Sequence, residues 1–248
     1  ERAPWWVTVT AKGATGHASR FIEPTAMEQI VNISKKALEF RKDQKDLLHG
    51  EGAHAGCSHA VAGKRLAARK TMGDVTSLNI TTMKAGVDAG NGVMCKNIIP
   101  PVATATFDIR ISPHMPPNFM RALLDGWCQE CAVDGGELGW DFYSASNNME
   151  EHYTTPTDAA VNPWYERFAA GVALSGVAVI PGVFPAATDS RFLRVLGIRA
   201  LGFSPMRRSE ILLHEYNEYL DVEVFEEGVE VYTKLIRHLC DAGEDFGV

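Results

Sequence analysis

From Val102 to Ser112 the chain alternates between two kinds of side chain. Ala103, Ala105, Phe107, Ile109 and Ile111 fall on one side, and Thr104, Thr106, Asp108 and Arg110 on the other. A period of two sustained this long makes a strand with one row against a core and one toward solvent. It commits the chain to a sheet covered on a single face. Trp5 to Lys12 repeats the pattern, with Trp5, Val7, Val9 and Ala11 opposite Trp6, Thr8, Thr10 and Lys12. Val75 to Met83, and the alternating Leu138, Trp140 and Phe142, supply two further strands. Helical stripes lie between them. Met27, Ile30, Val31, Ala37 and Leu38 follow Pro24-Thr25, where Thr25 and Glu28 have capping-box spacing. Met120, Leu123, Leu124, Trp127, Cys128 and Cys131 follow Pro117. The order strand, helix, strand, strand, helix, strand is a split βαβ (ferredoxin-like) unit: four antiparallel strands with two helices on one face, closing near residue 147.

Residues 43–72, rich in charge, Gly, His and Ala, read as an inserted loop with at most one helical piece. His49, His54 and His59 invite a metal reading there, but nothing around them would hold ligands rigid, so a solvated loop is the better account. After the polar, Pro-containing stretch 149–158 the texture changes. Helices are expected from Pro163 to Ala173, Ser190 to Val195 and Asp221 to Cys240, the last striped by Phe225, Val229, Tyr232, Leu235, Ile236 and Leu239. Short apolar runs at Val177–Ile180 and Ile198–Phe203 read as buried strands of an α/β layer. Two strands do not make a stable domain, so this part is expected to complete a sheet whose other strands lie elsewhere.

A net charge of −7 argues against a phosphate-seeking surface, and the short basic run Lys64–Lys70 reads as a solvated face, so no nucleic-acid partner is expected. No apolar run approaches the roughly 18 residues of a membrane span, and no signal peptide is visible. The five cysteines lack a disulfide framework, which points to reduced thiols and a cytoplasmic setting. Cys128-x-x-Cys131 would need distant ligands to hold zinc; on an amphipathic helix both thiols face the core.

Four clusters carry side chains suited to chemistry. His17, in the turn Gly16-His17-Ala18-Ser19 after the first strand, has small neighbours that let its ring approach a ligand. The preceding Gly13-x-x-Gly16 is not the G-x-G-x-x-G of a dinucleotide site. Asn97 can donate to a developing oxyanion, and Arg110 can fork onto a carboxylate. Equally, they can be a loop Asn and a surface Arg paired with Asp108. In Ala186-Ala187-Thr188-Asp189-Ser190-Arg191, Thr188 or Asp189 can simply cap a short helix, or the turn can line a pocket. His214 follows a short apolar run and precedes Glu215, which suits metal ligation with an oriented ring, although a lone His is more often structural or exposed.

These clusters together resemble the M20 metallopeptidase family, in its N-acyl-amino-acid amidohydrolase branch. The resemblance rests on Thr15-Gly16-His17-Ala18-Ser19-Arg20-Phe21, Asn97-Ile98-Ile99-Pro100, Phe107-Asp108-Ile109-Arg110, Pro185-Ala186-Ala187-Thr188-Asp189-Ser190-Arg191, Gly202-Phe203-Ser204-Pro205 and Leu212-Leu213-His214. It covers nearly all of the chain outside 43–72. It implies that residues 4–147 form a lid that is also the dimerisation domain, and that residues 150–248 form the C-terminal part of a zinc-peptidase-like α/β catalytic domain. By the same resemblance, His17 would reach the partner subunit's active site, Asn97 and Arg110 would hold the substrate's carbonyl and carboxylate, and His214 would be the last ligand of a dinuclear zinc centre. Thr188, Asp189 and Arg191, with the Gly202–Ser204 turn, would form the pocket wall.

Family members carry an H-x-D motif, a bridging Asp and a Glu-Glu pair before the lid. None is present here, and Glu150-Glu151 sits in the linker instead. With a start at Glu1-Arg2-Ala3-Pro4, an N-terminal catalytic half is expected to be missing. The implied reaction is zinc-assisted hydrolysis of N-acyl-L-amino acids by a homodimer. A dipeptidase or acetylornithine deacetylase activity, or a non-catalytic dimerisation module, are the alternatives.

Overall fold

The computed structural model describes residues 1–50, 70–90, 92–144 and 148–241. The chain forms two compact units, Glu1–Tyr153 with Val183–Arg191, and Thr154–Gly182 with Phe192–Val248. His54, His59, Cys57 and the basic run up to Arg69 lie outside the described residues.

The first unit contains β1 (Ala3–Lys12), β2 (Gly16–His17), α1 (Ala26–His49), β3 (Ser77–Ala85), β4 (Ile98–Ile99), β5 (Val102–Ile111), α2 (Pro117–Cys131) and β6 (Glu137–Phe142). Its sheet runs β3-β5-β1-β6, and every neighbouring pair is antiparallel. Among these four strands that is second, third, first, fourth, the strand order of a split βαβ. β1 and β5 pair without interruption from Ala3↔Ile111 to Lys12↔Val102. This register puts Trp5, Val7, Val9 and Ala11 on the same face as Ala103, Ala105, Phe107, Ile109 and Ile111, all buried. Ile30, Ile33 and Ala37 of α1, and Met120, Leu124, Trp127, Cys128 and Cys131 of α2, close that face. Each large apolar side chain removed from water there contributes about 2 kcal/mol.

The core row of α1 is Ala26, Ile30, Ile33 and Ala37, whereas Met27, Val31 and Leu38 of the expected stripe are exposed. Small and β-branched residues let the helix sit close on the sheet, and the longer side chains lie to its flank. Thr25 caps α1: its hydroxyl accepts from Glu28 N–H (3.1 Å) and donates to the Glu28 carboxylate (2.7 Å). The helix runs on to His49, so residues 43–49 are helical and not part of an irregular insertion. The Lys42–Asp46 pair supports this turn, and Gly50, at φ 74°, ends it.

The second unit holds α3 (Pro163–Ala173) and α5 (Val222–Cys240), which pack together, and it takes up the short α4 (Ser190–Val195) from Phe192 onward. A Cβ on Gly171 would stand 2.8 Å from Leu235 Cδ1, so glycine permits the close approach of α3 to α5. The runs 177–180 and 198–203 are not strands. A strand exists through a ladder of hydrogen bonds, and no neighbour among the described residues of this unit provides one. Only Gly228, Val231 and Leu235 of α5 are buried, while Phe225, Val229 and Ile236 are more than half exposed. Among the described residues no helix is long and apolar enough to cross a membrane.

Candidate functional site

His17 and Asn97 are eighty residues apart and meet across the two-stranded ribbon of β2 and β4. Two glycines let the chain reach this turn. A Cβ on Gly13 would lie 2.5 Å from the Pro24 carbonyl oxygen, and one on Gly16 would lie 2.5 Å from Ile22 Cδ1. Ala18 N–H donates to the Asn97 carbonyl (2.8 Å), which locks the ribbon beyond β2. The Asn97 carboxamide is then 3.3 Å from His17 Nε2. On the other side of the ring, Ser19 N–H donates to Nδ1 (3.2 Å), and the Ser19 hydroxyl is 2.7 Å away. A nitrogen that accepts from a backbone N–H carries no proton, so the neutral ring bears its proton on Nε2. The atom of the Asn97 carboxamide nearest Nε2 is Nδ2, and turning the amide about its axis brings its oxygen there to accept from Nε2–H. The exposed turn thus sets an imidazole and a carboxamide side by side, the donor types an oxyanion requires.

Arg110 lies elsewhere. It is near the end of β5, eight residues beyond Val102, or about 27 Å at 3.4 Å per residue. Asn97 precedes the start of that strand, so the structure does not bring Arg110 to the His17–Asn97 pair within this chain. Arg110 makes a two-bond fork with Asp108, Nε to Oδ1 at 2.7 Å and Nη2 to Oδ2 at 2.8 Å. Beside it on the helix-free face is Arg2, a buried arginine that the sequence did not single out. Its guanidinium donates to Pro185 O (2.6 Å), Val75 O (3.2 Å) and Ser77 Oγ (3.0 Å). Burial, and then the charge of Arg110, lower Arg2 to about 10, with Asp108 opposing the shift. The only sequence signal for Arg2 was its place in the even-numbered row shared with Trp6.

Thr188, Asp189 and Arg191 belong to the first unit. Arg2 N–H donates to Phe184 O (3.2 Å), which ties this segment to the start of β1. Thr188 donates through its N–H (2.8 Å) and hydroxyl (2.7 Å) to one oxygen of Glu1. The turn therefore already binds a carboxylate. Arg191 N–H donates to Thr188 O (3.2 Å), which makes Thr188 the residue that opens α4, and Asp189 is exposed.

Gly202 and Ser204 lie in the second unit and are exposed, flanking the partly buried Phe203. The Phe203 ring meets Phe168 of α3 at 5.1 Å and Tyr232 of α5 at 5.7 Å, and the Tyr232 hydroxyl donates to Phe203 O (2.8 Å). This aromatic anchoring was not legible in the sequence. His214, also in this unit, is exposed in a turn with φ 65°, a left-handed conformation that costs a non-glycine residue energy and recurs at functional sites. Among the described residues no group of three or more His, Cys, Asp or Glu is placed to hold a metal ion. A dinuclear zinc centre needs about four protein ligands or more, so His214 does not fit one by itself.

The model of the M20 peptidase dimerisation domain matches residues 1–135, and the chain belongs to the M20 peptidase family. Its fold is a mixed α+β one, as in the solved structure of the di-peptidase Dug1p from Saccharomyces cerevisiae, which has a TM-score of 0.59 and 16% identity over 98% of this chain and 55% of that one. In sequence the chain is similar to aminoacylase-1 of Dictyostelium discoideum, 40% identical over 243 residues, covering 97% of this chain and 54% of the relative. It is also similar to aminoacylase-1 of Homo sapiens, 35% identical over 240 residues, covering 97% and 52%. The chain spans about half the length of the curated relatives it matches.

Proposed function

We propose that this chain is the lid and C-terminal catalytic part of an amidohydrolase that cleaves N-acyl-L-amino acids to a carboxylate and a free amino acid. The observation that carries the reading is the His17–Asn97 pair, 3.3 Å apart on an exposed turn. It occurs in a chain 40% identical to an aminoacylase-1. In this reading His17 and Asn97 stabilise the oxyanion formed when water adds to the acyl carbonyl. Arg110 holds the substrate carboxylate. Thr188, Asp189, Arg191, Gly202 and Ser204 are the further substrate-binding residues, and His214 contributes one ligand to a dinuclear zinc centre.

Residues 4–147 act as the lid and residues 150–248 as part of the catalytic domain. The protein works in the cytoplasm as a homodimer joined through the lid. The length of β5 supports the dimer: a small substrate does not span the two ends of the strand, so His17 and Asn97 of one protomer serve the substrate held by Arg110 of the other.

The test is hydrolysis of N-acetyl-L-methionine by the complete enzyme, wild type against His17→Ala, with zinc measured by mass spectrometry. Loss of one oxyanion donor costs a factor of about 100 or more in kcat, and zinc content stays level. Equal activity in both proteins refutes the role of His17. Preference for a dipeptide or for acetylornithine reassigns the substrate, and an inactive, metal-free dimer leaves only a dimerisation module.

A further inference from the structure

The Arg110 guanidinium is not free to swing. Its Nε–H and one Nη2–H are committed to Asp108, at 2.7 and 2.8 Å. Both groups are about three-quarters buried. Asp108 is fixed in turn from the neighbouring strand, where Trp6, its registered partner on β1, donates its indole N–H to Oδ2 at 2.9 Å. An arginine has five N–H donors in a rigid plane. The side-on edge is used by Asp108, which leaves the Nη1/Nη2 edge, the one that matches a second carboxylate with two parallel bonds. The local charge favours such an anion, because Arg2 is held beside the pair by three hydrogen bonds and adds a second positive charge against the single negative charge of Asp108.

We propose that Asp108, braced by Trp6, is the positioning residue that aims the outer edge of Arg110 at the α-carboxylate of the substrate. This rests on the reading of Arg110 as the carboxylate holder. Asp108 touches no substrate atom; it sets the plane and edge that Arg110 presents, so binding does not have to order a flexible side chain.

Steady-state kinetics of the complete enzyme test this with a matched pair of substrates, N-acetyl-L-methionine and N-acetyl-L-methioninamide, which differ only in the carboxylate. Asp108→Asn is expected to raise KM for the acid about tenfold, the worth of one charge-assisted hydrogen bond. It is expected to leave kcat/KM for the amide within about twofold. Trp6→Phe, which removes the brace and keeps an aromatic ring, shifts the acid-to-amide preference the same way by less. An equal loss on both substrates marks a merely structural role and overturns the proposal. Unchanged preference in Asp108→Asn, with preference lost in Arg110→Lys, overturns the positioning role alone. Wild type and Arg110→Lys enzymes that are alike in preference overturn the reading of Arg110 and this proposal with it.

Discussion

Gln29 is the most consequential buried polar side chain of the first unit. It is fully buried on α1, donates through Nε2 to the Lys12 carbonyl at 3.0 Å and accepts from Val133 N–H at 3.4 Å. It thereby ties the end of β1, from which the His17 turn departs, to the segment after α2. Gln29→Met keeps roughly the volume and removes both partners. Each orphaned backbone group costs about 1–3 kcal/mol when fully buried. Both bonds are only part-buried, so the lower end applies, and two such groups cost about 2–3 kcal/mol. Relief from desolvating the amide returns about 1 kcal/mol, for a net loss of about 1–2 kcal/mol. With a urea slope of about 2 kcal/mol/M, the unfolding midpoint falls by about 0.5–1 M. Tryptophan fluorescence reads the transition directly, since Trp5 and Trp127 are buried in this core. A midpoint that stays put in Gln29→Met would refute the account of Gln29 as an anchor of that strand end.

Two further outcomes follow from titratable groups held partly or wholly away from water. His152 donates Nε2–H to Met115 O at 2.9 Å, and desolvation holds its pKa below the ordinary 6.5. The unfolded chain then binds the proton more readily, so this contribution is complete above about pH 6.5 and is lost as the pH falls through the lowered folded value. Thermal melts between pH 7.5 and 5 should show a smaller decline in His152→Gln than in wild type, and parallel declines would remove His152 from the account. Burial raises the Cys128 thiol to about 11, and Cys131 is shifted up for the same main reason. Both should resist a thiol reagent at pH 8 until the protein unfolds, and rapid labelling at Cys128 in the native protein would contradict its placement in the core.

The four strands were readable because a half-buried strand prints its geometry on the sequence, and residues 102–111 do so without a break. Their order was readable from the alternation of strands and helices. The core row of α1 was not, since Met27 and Val31 are as apolar as Ile30 and Ile33, and only the sheet decides which row faces it. The runs 177–180 and 198–203 look like strands because apolar content is local, while pairing is not. His17 and Asn97 were each visible as candidates, but their contact depends on a ribbon of two-residue strands that has no periodicity to read. Arg110 was visible too, yet its distance from His17 became apparent only from the β1–β5 register. Arg2 went unnoticed, and Tyr232 was visible only as part of the last helix's stripe, because nothing in the neighbouring residues announces a guanidinium or hydroxyl that reaches backbone carbonyls far along the chain.

The uninterrupted pairing of β1 with β5 makes those strands a measuring rod. Removing two residues from each would keep every side chain on its proper face, and the sheet would lose little of its character. The separation between the strand's two ends would nevertheless shrink by about 7 Å. Under the proposed function, tolerance of the fold to such a deletion and tolerance of catalysis to it are therefore different quantities, and the number of rungs in this ladder would answer to reach across the proposed dimer as much as to stability.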